Sequence, residues 1–84
     1  MASGTFSGWE VAKVMVNSDI FEWVRTTGDH AILRWEPPDE HDTEARTVPI
    51  PLHDELSEGT LREIGEQAGM RDYREFTAWI DRNR

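Results

Sequence analysis

The sequence predicts an α+β fold, a three-stranded antiparallel sheet with helices on one face, in the element order α-β-β-β-α-α. Three features predict it. Amphipathic segments that open on helix-capping residues stand at both ends of the chain. Between them, two strand-like segments are joined by a Gly-Asp turn, and a third contains two prolines. Because the chain has only 84 residues, we expect a single domain, residues 1–84, with one modest core.

The first helix is predicted from its capping residues. Ser7 and Glu10 have capping-box spacing, and apolar residues then recur on one helical face. We therefore expect a helix over residues 8–16. Asn17, Ser18 and Asp19 are expected to end this helix, since asparagine tolerates the left-handed conformation of a C-cap.

Two strands and a tight turn are predicted next. Residues 20–27 are rich in aromatic and β-branched side chains, and Gly28 and Asp29 suit a two-residue type II′ turn. In the second strand, over residues 30–36, two sets of side chains alternate. The set expected to face the core is Ala31, Leu33 and Trp35, and the set expected to face solvent is His30, Ile32 and Arg34.

The third strand, over residues 45–52, is expected at an edge of the sheet. Pro49 and Pro51 cannot donate to a ladder of hydrogen bonds, which disfavours a central position. An acidic segment with two prolines, residues 37–44, precedes this strand and is expected to be a solvated loop. We expect no metal site around His41 in this loop, because the acidic residues lack the spacing of a calcium loop.

Two further helices are predicted at the end of the chain. Ser57 can cap a helix that begins near Glu58 and stops at Gly69, and Asp72 can cap a last helix. In both segments, apolar residues recur at helical spacing, so that each helix is expected to bury one face. These residues are Leu61, Ile64 and Ala68 in the first segment and Tyr73, Phe76 and Ile80 in the second.

The chain is strongly acidic. Seventeen Asp and Glu residues oppose nine Lys and Arg residues, the net charge is −8, and Lys13 is the only lysine. This composition is typical of proteins from salt-accumulating halophiles, since a Debye length of about 3 Å near 1 M salt suppresses self-repulsion. An acidic mesophilic protein is the alternative. The charge also disfavours nucleic-acid binding through phosphate neutralisation, so an RNA-directed protein of this kind would depend on hydrogen bonds and stacking.

The sequence has no cysteine, no apolar leader after Met1 and no apolar run of about 18 residues. We therefore expect a cytoplasmic protein without disulfides, Cys-based zinc sites or membrane association.

Four short motifs, in their order, resemble one protein family. They are Gly28-Asp29-His30, Val48-Pro49-Ile50-Pro51-Leu52-His53, Gly59-Thr60-Leu61-Arg62 and Gln67-Ala68-Gly69. They resemble the Gly-Ser-His turn, the Val-Pro-x-His strand and the Gly-Thr-Leu start and Gln-Ala-Gly end of a helix in the HicA family of toxins. The resemblance covers about residues 8–80, and the acidic composition makes the chain look like a haloarchaeal member.

The resemblance implies a double-stranded-RNA-binding-domain-like fold, endoribonuclease activity against mRNA, and neutralisation by a HicB-type antitoxin. It implies that His30 is the catalytic histidine and that Gly28 is the turn glycine of the RNA-binding site. A histidine can act on RNA as a general acid or base, because the 2′-hydroxyl of RNA is its own nucleophile. We therefore expect no cofactor, and no DNA binding by this chain alone.

Asp29 departs from the family pattern, which has serine at this place. An ionised carboxylate beside His30 is expected to repel a scissile phosphate, to which a serine could donate a hydrogen bond. Alternatively, the substitution belongs to the general acidic shift of the chain. His53 is a secondary candidate, either as a second acid–base group or in a purely structural role.

Arg34 and Arg25 are candidate phosphate-binding residues. Arg34 is expected on the same strand face as His30, where its guanidinium could hold a phosphate through two hydrogen bonds. The alternative interpretation is a surface ion pair of Arg34 with Glu36 or Glu22.

Two other classes of function are open. The chain could be a non-catalytic module that binds double-stranded RNA by its shape, although the expected basic surface is missing. It could also be a degenerate protein-interaction domain that retains only the binding of its partner. Loss of activity on replacement of His30 would distinguish an enzyme from both.

Overall fold

The residues that the structure describes form one three-stranded sheet and three helices, which confirms the predicted α+β fold. The computed structural model describes residues 5–36 and 45–84. The elements, in chain order, are α1 Gly8–Asn17, β1 Glu22–Thr27, β2 His30–Trp35, β3 Arg46–Pro51, α2 Glu58–Gln67 and α3 Tyr73–Asn83. The predicted acidic loop, residues 37–44 with His41, lies outside the described residues. Within the described ranges, no helix has the length and apolar character needed to cross a membrane.

The sheet has the strand order β1-β2-β3, and both strand pairs are antiparallel. β2 therefore lies at the centre, and β3 lies at an edge, as its prolines predicted. Pro51 is the partner of His30, and Pro49 is the partner of Ile32. At the other side of β2, Thr27 is the partner of His30. His30 thus lies at the end of the sheet, between the last residues of both neighbouring strands.

The core lies between the inner face of the sheet and the helices. Ala31 and Leu33 of β2 and Val48 and Ile50 of β3 are fully buried. The helices cover them with a set of large, buried side chains. These are Val11, Met15, Leu61, Ile64, Phe76 and Ile80. On the outer face of β2, by contrast, Arg34 is exposed, and His30 and Ile32 are only partly buried. This alternation confirms the predicted period-two pattern.

The helix starts follow the predicted caps. In α1, the Glu10 amide donates to Ser7 Oγ at 3.1 Å, and the Ser7 amide donates to Glu10 Oε1 at 3.0 Å, which completes a capping box. Ser57 caps α2 and Asp72 caps α3, each by accepting from a backbone amide in the first helical turn. Local side-chain chemistry therefore fixes the three starts without help from distant residues.

α1 ends within the predicted residues, Asn17, Ser18 and Asp19, but the prediction that Asn17 takes the left-handed conformation was wrong. Asn17 is the last helical residue, and the left-handed conformation is adopted by Asp19, at φ 65°. Ser18 is the C-cap and keeps the right-handed conformation, and its hydroxyl donates to Met15 O at 2.6 Å. The left-handed residue therefore follows Ser18. β1 consequently begins at Glu22, two residues later than predicted.

A β-bulge in β1 changes the face to which its side chains point. Trp23 is the partner of Leu33, but Arg25 is already the partner of Ile32, so that Val24 is an extra residue. Without the bulge, Arg25 would share the inner face with Trp23. With it, Arg25 lies on the outer face of the sheet.

The start of α1 packs closely on the end of β3. The Gly8 amide donates to His53 O at 2.9 Å. A Cβ atom on Gly8 would overlap the carbonyl oxygen of Pro51 and lie 2.9 Å from Leu52 Cα. Position 8 therefore requires glycine, because the atoms in the way are backbone atoms that cannot turn aside.

We expect Gly8→Ala to lower the free energy of unfolding by about 1–3 kcal/mol, since the backbone of α1 or β3 must shift to admit the methyl group. Gly59→Ala is the matched control, because a Cβ on Gly59 in α2 meets no atom within 4 Å. That substitution should change the stability by less than about 1 kcal/mol, with a gain as the expected sign. Urea denaturation of the two variants measures both effects, and equal effects would contradict the close packing at Gly8.

Candidate active site

His30 stands beside a tight turn that joins β1 to β2. Gly28, the first central residue of the turn, has φ +59°, the sign that a type II′ turn needs at this position. A Cβ on Gly28 would meet no atom within 4 Å, so the backbone conformation, and not space, favours glycine here. The Leu52 amide donates to Asp29 O at 2.6 Å. This bond ties the turn to the segment that follows β3.

The side chain of Asp29 lies between two histidines. Its Oδ1 is 2.9 Å from His30 Nδ1, and its Oδ2 is 2.9 Å from His53 Nε2. The three side chains are 62%, 45% and 56% exposed for Asp29, His30 and His53. We call this group the His–Asp–His cluster. The fold thus brings together both predicted histidines and places between them the residue that departs from the family pattern.

The pKa of Asp29 is lowered below 3.8, the value of an unperturbed aspartate. The hydrogen bond with His53 is the largest cause, and the hydrogen bond with His30 acts in the same direction, whereas partial desolvation opposes both. Asp29 is therefore ionised at neutral pH. An ionised carboxylate can only accept hydrogen bonds, so each ring must donate to it.

This requirement fixes the tautomers of both neutral rings. His30 carries its proton on Nδ1, which leaves the lone pair of Nε2 for a substrate. His53 carries its proton on Nε2, which leaves the lone pair of Nδ1. The cluster therefore presents two ring nitrogens that can exchange protons with a bound molecule.

Arg25 and Arg34 lie on the outer face of the sheet. Together with Val24, Ile32 and Thr47 they line a cleft of about 210 Å³. Arg34 Nε donates to Glu36 Oε2 at 2.9 Å, the ion pair of the alternative interpretation. Arg34 is four residues from His30 along β2, or about 13 Å at the rise of a strand, so the fold does not bring it to the cluster. Phosphate binding by either arginine stays a prediction.

The contact of Asp29 with His53 was missed by sequence reasoning, which treated the carboxylate as unfavourable. The pairing of β2 with β3 would have revealed this contact. Asp29 precedes His30, His30 is the partner of Pro51, and His53 follows Pro51 by two residues. Had this register been known, the sequence would have placed Asp29 beside His53.

Comparison with known proteins identifies the chain. The profile of one family, the HicA toxin of bacterial toxin–antitoxin, matches residues 8–70, which span α1, the whole sheet, α2 and the His–Asp–His cluster. The protein is thus a toxin-class component of a toxin–antitoxin system. The chain belongs to the HicA toxin family, and this membership confirms the resemblance found in the sequence motifs. Neither the curated proteins nor the solved structures contain a significant match to it.

We expect the carboxyl group of Asp29 to titrate below pH 3.8 when followed by carbon NMR. His53→Ala should raise this pKa toward 3.8 by more than His30→Ala, because the bond with His53 is the larger cause. Since the pKa is lowered by folding, the stabilising contribution of Asp29 is complete above pH 3.8 and is lost as the pH falls through the folded value. An unchanged Asp29 pKa in His53→Ala would contradict the contact.

Proposed function

We propose that this toxin is an endoribonuclease that cleaves mRNA, with His30 as its catalytic group. The observation that supports the proposal is the state of His30, which is half exposed at a hairpin turn with Nδ1 held by an ionised carboxylate. Its Nε2 is thereby left available for a proton on the substrate. A surface position suits a long RNA backbone, which could not enter an internal cavity of so small a domain.

The chemistry needs no metal, because RNA supplies its own nucleophile. A neutral imidazole can take the proton of the 2′-hydroxyl as that oxygen attacks the adjacent phosphorus. Proton transfer of this kind contributes about 10²–10⁴-fold to a rate, which is sufficient for a slow toxin. Gly28 supports this role by holding the turn that presents His30.

Arg25 and Arg34 would bind the RNA away from the cleavage site. Both lie on the outer face of the sheet, to which the bulge at Val24 brings Arg25. The Arg34–Glu36 pair is solvent-exposed, and such pairs are worth little, so Arg34 can exchange Glu36 for a phosphate at small cost. The RNA would then run along the outer face toward the His–Asp–His cluster.

We propose that the protein works in a cytoplasm of high salt, as a halophilic member of its family. The net charge of −8 supports this, because molar salt screens both the self-repulsion of the chain and its repulsion of RNA. Hydrogen bonds at short range are screened far less. The cluster and the arginines would therefore carry the recognition of RNA.

We also propose that a HicB-type antitoxin neutralises the toxin by covering the His–Asp–His cluster. The exposure of all three side chains supports a partner at this place. A cognate HicB-type protein should therefore protect His30 and His53 from diethyl pyrocarbonate, as measured by mass spectrometry of the modified peptides. Equal modification with and without a tightly bound antitoxin would exclude this arrangement.

The central test is RNA cleavage in molar KCl by the chain and by His30→Ala. We expect the variant to lose about 10²–10⁴-fold in rate, because it lacks the proton acceptor. His41→Ala, which changes another of the three histidines, is the matched control and should retain full activity. Circular dichroism of each protein establishes that it is folded.

Cleavage that survives in His30→Ala would exclude this catalytic role. If neither the chain nor the variant cleaves RNA, binding decides between the remaining classes. Retention of double-stranded RNA by both proteins would indicate a non-catalytic binding module, whereas the absence of RNA binding would indicate a protein-interaction domain.

A further inference from the structure

The His–Asp–His cluster contains one more histidine than the proposed function uses. Asp29 makes the same kind of contact with both rings, at 2.9 Å from one oxygen to His30 and at 2.9 Å from the other oxygen to His53. Both rings are about half exposed, so both can reach a bound molecule. A solitary catalytic histidine would need only the first of these contacts.

We infer that His30 and His53 act as an acid–base pair in RNA cleavage and that Asp29 is the positioning residue of both. The reaction class is a transesterification, which leaves a 2′,3′-cyclic phosphate on one product and a 5′-hydroxyl on the other. This inference rests on the proposed function, and it adds a second catalytic residue and a role for the aspartate.

The proton balance of this reaction suits two rings. The 2′-oxygen forms a bond with phosphorus while the bond from phosphorus to the 5′-oxygen breaks. The proton of the 2′-hydroxyl goes to the lone pair of one neutral ring, and the 5′-oxygen receives a proton from the other ring, which starts protonated. No further reactant is needed. After the step the two rings have exchanged their protonation states.

Asp29 is suited to both halves of this exchange. Its two oxygens hold the two rings separately, so the carboxylate stabilises an imidazolium on either side without moving. With one ring protonated, the formal charge of the cluster is zero. The positive charge of the protonated ring therefore offsets the repulsion between the Asp29 carboxylate and a phosphate.

Backbone hydrogen bonds, and not only side-chain contacts, hold the residues of the cluster in place. The Leu52 amide binds Asp29 O at 2.6 Å, and the Gly8 amide binds His53 O at 2.9 Å. These bonds hold the backbone of Asp29 and of His53. The exposed side-chain hydrogen bonds of the cluster would be too weak in water to do this alone. Such preorganisation is what a pair of groups acting on one phosphate requires.

The first test uses the whole chain without RNA. Long-range nitrogen–proton NMR should find the neutral rings protonated at His30 Nδ1 and at His53 Nε2. In Asp29→Asn, one of the two contacts must face the amide nitrogen, which donates, so one ring should change its tautomer. Asp54→Asn removes a charge next to His53 and is the control, with both tautomers retained. Mixed tautomers in the unchanged chain would overturn the inference.

The second test measures cleavage by variants of the cluster. His53→Ala should lose about 10²–10⁴-fold in rate. Asp29→Asn and Asp29→Ser should each lower the rate by up to about 10⁴-fold, the scale of loss when the carboxylate that orients a catalytic histidine is replaced. Asp54→Asn should be unaffected. If Asp29→Ser, which restores the residue usual in the family, is as active as the unchanged chain or more so, Asp29 is only part of the acidic shift and the inference fails.

A substrate with sulfur in place of the scissile 5′-oxygen separates the two roles. A thiolate leaves without protonation, so this substrate should restore activity to His53→Ala, which lacks the proton donor, and not to His30→Ala, which lacks the proton acceptor. Restoration of neither variant would overturn the assignment of an acid–base pair. Failure of the proposed function gives a different result from failure of this inference. If the protein is not a ribonuclease, the unchanged chain cleaves neither substrate, even though both tautomers are as expected.

Discussion

The register of β2 against its two neighbours is the constraint on which both the core and the site depend. Side chains alternate along β2, so the register that buries Ala31 and Leu33 also places His30 on the outer face. A shift by one residue would turn His30 inward and expose Leu33. The free energy of burying the apolar set therefore fixes the position of the histidine, although the histidine contributes nothing to the core.

The His–Asp–His cluster is a surface feature whose geometry comes from the fold beneath it. Exposed hydrogen bonds and ion pairs each contribute about 1 kcal/mol or less, which is too little to hold three side chains in place. The turn at Gly28, the bond of Leu52 to Asp29 and the close approach of Gly8 to β3 hold the backbone instead. The site is therefore positioned by residues that do no chemistry.

The last helix completes a core that the family motifs alone would leave open. The stretch that matches the HicA family ends at residue 70, before α3. Yet Phe76 and Ile80 of α3 are fully buried. The Phe76 ring packs on Gly65 of α2, where a Cβ atom would lie only 3.2 Å from Phe76 Cδ2. Arg84, the residue after α3, donates to Thr5 O at 2.9 Å and so links the end of this helix to the segment before α1. The His–Asp–His cluster and the closure of the core thus depend on different parts of the sequence.

The sequence by itself determined the element order, the helix starts and the faces of β2, because caps and side-chain periodicity act over a few residues. Ser7, Ser57 and Asp72 are local signals of this kind. The sequence motifs also indicated the family and His30. Only the tertiary structure decided that Asp29 joins His30 to His53, since the second contact spans 24 residues and depends on the pairing of three strands. For the same reason, the bulge that turns Arg25 outward, which depends on how β1 pairs with β2, had no signal in the sequence of β1 alone.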